Sequence, residues 1–162
     1  MNYPDWEKNV PTAFTTDPLW KVEAYRLALF LADISWRDVT KLVQDKRTLS
    51  LSDQLYEAVG SVSANIAEGY SYSSAKNKAR YYEYALGSAR ESRDWYYKAR
   101  HVLTEEIMQH RISLLSQISR LLITMITQKR GKHLRESEVI YEINAHFREN
   151  NLENLLNKIP LP

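Results

Sequence analysis

Seven cations and four aromatic side chains share one stretch of the chain. Lys76, Lys78, Arg80, Arg90, Arg93, Lys98 and Arg100 stand among Tyr81, Tyr84, Trp95 and Tyr97. Lysine and arginine attract phosphate, and an exposed aromatic ring can stack on an unpaired base. At about 100° per residue, Arg90, Arg93, Tyr97 and Arg100 follow one helical stripe, and Lys76, Arg80 and Tyr84 form a second run at four-residue spacing. A further basic cluster follows at Lys129, Arg130, Lys132, His133 and Arg135. Cations complement a helix C-terminus, but one or two suffice for that, so the excess points to an anion site. The plainer alternative is a solvated face with aromatics at subunit contacts.

Other chemistries find little material. Di-iron helical bundles need Glu-x-x-His pairs, and no acidic residue here stands three before a His. Glu106 with His110, and Glu142 with His146, are four apart and read as ordinary helix-surface neighbours. No Gly-x-Ser-x-Gly, phosphate-cradling glycine loop or His-Glu-x-x-His occurs. There is no Cys, which excludes disulfides and thiolate zinc sites. No catalytic residue, metal or cofactor is therefore expected. Asn65, Glu68 and Glu91 are polar residues beside small ones. The sequence predicts that they link packed helices by hydrogen bonds.

The elements that must carry these residues are helical. Only 4 Gly and 5 Pro occur in 162 residues, and Pro4, Pro11 and Pro18 all precede the first long periodic pattern. Residues 1–16 read as an aperiodic arm. Asp17-Pro18 signals a helix start, and Val22, Tyr25, Leu29, Ala32, Trp36 and Val39 give the first helix, to about Asp45, an apolar stripe. Trp20, Trp36 and Tyr25 are expected in the core or at a subunit contact. Ser50 with Asp53 makes a capping box for the second helix, whose stripe is Leu55, Val59, Val62, Ile66 and Ala67 and whose pattern ends at Gly69. A third helix spans about Ser74 to Val102. A fourth opens at Thr104 and stops at Gly131. Small residues, Gly60, Ser61, Ser63 and Ala64 in the second helix and Ala85, Gly87, Ser88 and Ala89 in the third, predict close backbone approach. Residues 132–162 form a tail with two short amphipathic pieces, Val139–Phe147 and Leu152–Ile159. They are too short to stand alone in water. The fold class is all-α: an antiparallel up-down four-helix bundle over 17–131 with a short helical tail.

Charge is uneven. The net +2 divides into −3 over residues 1–70, +8 over 71–135 and −3 over 136–162. A basic middle flanked by acidic ends suits an anionic partner. No signal peptide or membrane span is evident, which makes a cytoplasmic protein the expectation.

Leu51, Gln54, Leu55, Ala58 and Ser61, then Ala64-Asn65-Ile66-Ala67-Glu68-Gly69, then Ala85, Gly87-Ser88 and Glu91 together resemble a known family. It is the four-helix bundle family of the protein encoded in intervening sequences of bacterial 23S ribosomal RNA. This family includes Avd, the accessory protein of diversity-generating retroelements. The resemblance implies a homo-oligomer, a pentameric ring, with a basic surface for RNA or DNA and, in the Avd branch, a reverse transcriptase partner. The sequence departs from the family at Ser63, where Pro is frequent, and at Tyr56 and Glu57, where basic residues are frequent. The charge argument thus moves to the third helix and the end of the fourth. The expected function is a non-enzymatic nucleic-acid-binding accessory protein. The alternative is an interaction scaffold whose basic face meets an acidic protein.

Overall fold

The computed structural model describes residues 2–131 and 148–162. Its frame is four long helices: α3 (Glu23–Leu42), α4 (Leu49–Ser71), α5 (Ala75–Ala99) and α6 (Glu105–Arg130). Each packs on the next, and α3 closes on α6, the up-down bundle expected of long amphipathic rods with short joints. Before them come α1 (Tyr3–Lys8), α2 (Thr12–Thr15) and a 3-10 turn at Pro18–Lys21. A short helix, α7 (Arg148–Asn157), follows them.

Helix ends follow local chemistry. Ser74 caps α5 through Asn77 N, and Thr104 caps α6 through Ile107 N. Gly131 ends α6 in the left-handed region, at φ 62°, where a Cβ would be strained. Three expectations shift. Asp17 caps the 3-10 turn rather than the long helix, which begins at Glu23. No Ser50–Asp53 box forms, because α4 starts earlier, at Leu49 behind Thr48, and has no side-chain cap. Gly69 lies inside α4, not at its end.

The core collects Phe30, Leu31 and Ile34 of α3, Leu55, Val62 and Ile66 of α4, Leu86 and Tyr96 of α5, and Leu115, Ile118 and Leu122 of α6. In α3 the buried face is rotated from the sequence reading. It runs through Leu27, Leu31, Ile34, Asp38 and Leu42, leaving Trp36 60% exposed with its ring edge toward Tyr56. Tyr25 is buried and Trp20 partly so. The arm is structured: Trp6 is buried against Phe30 and Trp20, their ring centroids 5.1 and 6.2 Å away.

The small residues also sort differently. Ser63, Ala85 and Ala89 are buried where α4 meets α5. A Cβ on Gly60 or Gly87, however, would meet nothing within 4 Å, so neither marks a close approach within the subunit. The tight contact is at Gly69. A Cβ there would stand 2.9 Å from both Tyr81 Cβ and Tyr82 Cε1, because the short joint at Tyr72–Ser74 forces α4 and α5 together.

The tail piece at Leu152–Ile159 docks on its own subunit. α7 contacts α6 and α1, and Leu155 is buried. The helix expected at Val139–Phe147 lies outside the described residues.

Candidate nucleic-acid interface

Antiparallel packing sorts the predicted cations into two groups. The start of α5 lies beside the end of α6, so Lys76, Lys78 and Arg80 gather with Lys129 and Arg130 at one end of the bundle. Lys78 and Lys129 line a single cavity there, and Arg130 reaches across to Glu83 of α5 at 2.6 Å. Arg93 is 13 residues beyond Arg80 along α5, which is about 20 Å at 1.5 Å per residue. Arg90, Arg93, Tyr97 and Arg100 thus form a separate group. Lys132 and Arg135, with His133, lie outside the described residues.

Each group has one cation in an ion pair, Arg130 in the first and Lys98 in the second. At the first end Arg130 is paired, while Lys76, Lys78, Arg80 and Lys129 have no carboxylate partner among the described residues. Lys78 stands 5.6 Å from the Tyr70 ring centroid, and Arg80 Nε donates to Tyr84 OH at 2.6 Å. That bond raises the Arg80 pKa, keeping its cation fixed beside an exposed ring. At the second end Arg93 reaches Ser116 of α6 at 3.5 Å. Arg100 lies over the Tyr97 ring and donates to the Tyr97 carbonyl, and Lys98 is bound to Asp94 and sits over Trp95. Arg90 is exposed and engaged within the chain.

Asn65, Glu68 and Glu91 do not converge. Asn65 Nδ2 donates to Ser61 O in its own helix, and exposed Glu91 accepts from Trp95 Nε1 within α5. Only Glu68 bears on the α4–α5 contact: Tyr72 OH donates to Tyr81 OH at 3.3 Å, and Tyr72 together with the Glu68 carboxylate raises the Tyr81 pKa. Gly87 is exposed and Ser88 half-buried, with Ser88 O accepting from Ser92. One Ser-x-x-Lys spacing does occur, at Ser73–Lys76. Both residues are exposed, and no hydrogen bond joins them. Among the described residues no group of three or more His, Cys, Asp or Glu side chains could hold a metal ion, and no helix is long and apolar enough to cross a membrane.

The pairing the sequence reading missed is buried. Arg111 Nε donates to Asp38 Oδ2 at 2.8 Å and Nη2 to Oδ1 at 3.1 Å, while Tyr96 OH donates to Oδ2 at 2.8 Å. Arg111 Nη2 also donates to Pro160 O, and Nη1 donates to His110 Nδ1 at 2.8 Å. Arginine can only donate, so His110 is neutral and carries its proton on Nε2, which donates to Leu155 O at 2.7 Å. Burial lowers the His110 pKa and, with the Asp38 charge, pushes that of Tyr96 well up. Glu106 and His110 are therefore not a surface pair. His110 and Arg111 fasten the C-terminal segment to the bundle. The signal was present: Ile34, Asp38 and Leu42, and Ile107, Arg111, Leu114 and Ile118, share core faces by spacing.

The cavities among the described residues include two that are open. One, of about 500 Å³, lies between the arm and the α3–α4 face and exposes Phe14, Trp36 and Tyr56. The other, of about 320 Å³, is the one shared by Lys78 and Lys129.

Comparison with known proteins gives a consistent answer. A family described as 23S rRNA-intervening sequence protein matches residues 21–124. A crystal structure of a protein of unknown function from the S23 ribosomal protein family of Bacteroides thetaiotaomicron is similar, with a TM-score of 0.60 and 23% identity. The match covers 64% of this chain and 97% of that one, and at that identity it supports the fold alone. No curated protein matches.

Proposed function

The chain belongs to the 23S rRNA-intervening sequence protein family, and from that premise we propose that it is a non-enzymatic, oligomeric nucleic-acid-binding accessory protein. The observation that carries this reading is the gathering of Lys76, Lys78, Arg80 and Lys129, all without carboxylate partners among the described residues, at one end of the bundle. Cations that no described carboxylate pairs are the ones available to phosphate. The ring of Tyr84 beside Arg80 adds a stacking surface. Arg93 and Arg100, which likewise have no carboxylate partner among the described residues, form with Tyr97 a second contact along α5.

The protein works as a homo-oligomer, a pentamer on the family resemblance, in the cytoplasm. It acts on RNA or DNA, with a reverse transcriptase as the candidate protein partner. The exposed patch of Phe14, Trp36 and Tyr56 supports self-association, since contiguous exposed apolar surface marks contact sites. A ring would repeat the basic end and raise avidity from weak single contacts.

The test is fluorescence anisotropy with labelled RNA and DNA across a salt series. Four cation–phosphate contacts per protomer give a slope of log K against log salt of about −3 for single strands. Lys76→Glu with Lys78→Glu and Lys129→Glu should abolish binding while the oligomer persists by size-exclusion with light scattering. Binding that ignores salt, or survives the triple variant, refutes the assignment. Capture of acidic polypeptide but of no nucleic acid would favour the scaffold reading.

A further inference from the structure

Resting on the nucleic-acid reading, we infer that the cavity at the end of the bundle where α3 and α5 begin and α4 and α6 end is a subsite for one unpaired nucleotide. It holds about 320 Å³ and is lined by Lys78 and Lys129 together with Tyr70, Tyr82 and Met125. That volume is at the small end of ligand sites, enough for one base with its sugar. The lining supplies both kinds of contact a nucleotide uses. Tyr70 is half-buried and offers an aromatic surface, with Lys78 Nζ 5.6 Å from its ring centroid. Lys78 and Lys129 come from antiparallel helices and line the same cavity, where a phosphate would be shared. Tyr82 is held against Gly69, so that wall is preformed.

The geometry selects the form of the nucleic acid. A base inside a duplex is stacked and paired, whereas a splayed single-stranded base can enter an aromatic-lined cavity. Glu23, exposed in the same lining, opposes a phosphate, so Glu23→Gln should tighten binding.

The experiment compares a labelled mixed-sequence single strand with the same strand annealed to its complement, on the full-length protein at low salt. The single strand should bind more tightly. Tyr70→Ala should weaken single-strand binding about tenfold, leave duplex binding unchanged, and be rescued by Tyr70→Phe. Gln128→Trp, at an exposed lining position, fills the cavity without touching the core and should have the same selective effect. It keeps the test valid if Tyr70→Ala unfolds. Equal affinity for single strand and duplex, or wild-type single-strand binding by Gln128→Trp, overturns the subsite. In that case salt-sensitive binding lost in the lysine triple variant would leave the parent reading standing. Failure of wild-type protein to bind either form at low salt overturns both.

Discussion

Replacing Asp38 with Asn should destabilise this bundle more than its small change in shape suggests. The two Asp38 oxygens receive three donors, two from Arg111 and one from Tyr96. Both side chains of the ion pair are 0% exposed. Arginine cannot escape by losing its proton. Asparagine keeps one acceptor and turns an amide NH2 toward a donor whichever way it is rotated. The variant therefore holds an uncompensated buried cation, which costs about 3–5 kcal/mol. At about 2–4 °C per kcal/mol for a chain of this size, the melting temperature should fall by roughly 6–20 °C. Thermal and urea unfolding followed by circular dichroism would read this at fixed protein concentration, since an oligomer's stability depends on it. Asp38→Leu combined with Arg111→Met and Tyr96→Phe should recover part of the loss, because the apolar set needs no charge compensation, while His110 Nδ1 and Pro160 O still lose their donor. The reasoning is refuted if Asp38→Asn lies within about 1 kcal/mol of wild type, or if the apolar triple variant is less stable than Asp38→Asn.

Other outcomes follow from the same contacts. His110 is buried and neutral, facing Arg111 and, through it, Asp38. Its pKa is lowered chiefly by burial, with Arg111 adding to the effect and the bond to Leu155 O opposing it. Below about pH 6.5 the unfolded chain therefore binds more protons at this residue, and stability falls as pH drops from there through the lowered folded value. Melting temperatures at several pH values should show that loss in wild type and less of it in His110→Gln; parallel profiles would refute it. Gly69→Ala should lose about 1–3 kcal/mol by overpacking against Tyr81 and Tyr82. Gly60→Ala and Gly87→Ala should each gain about 1 kcal/mol from helix propensity, because the added methyl has open space. Loss of assembly in either of those two would instead place the glycine at a subunit contact. Arg111→Met should loosen the C-terminal segment by removing its bond to Pro160 O and, because it also leaves Asp38 buried without its cation, should lower global stability as well, seen as faster hydrogen exchange throughout the bundle with the largest increase in α7.

Much of the fold was legible because its signals are local. Thr104 and Gly131 were recognisable as the ends of α6, and Ser74 as the approximate start of α5, since such end signals depend only on residues within one turn. The face of α3 was misread because Trp36 fits a three-and-four spacing as well as Leu31 and Ile34 do. Apolar spacing ranks faces by size and greasiness, while burial depends on what the neighbouring helices present. Gly60 and Gly87 misled for a related reason: a missing side chain permits close approach but does not create it. Gly69 became the real contact through the shortness of the next joint.

The basic residues and their uneven distribution were fixed by composition, as was the all-helical class. Charge and helical period are sums over neighbouring positions along one chain. Which cations remain available is a different kind of fact. It depends on α5 and α6 lying antiparallel, so that Lys78 meets Lys129 and Arg130 is spent on Glu83. The Arg111–Asp38 pair likewise joins residues 73 positions apart. Its energy exists only once both are removed from water together, so only the tertiary structure could decide it.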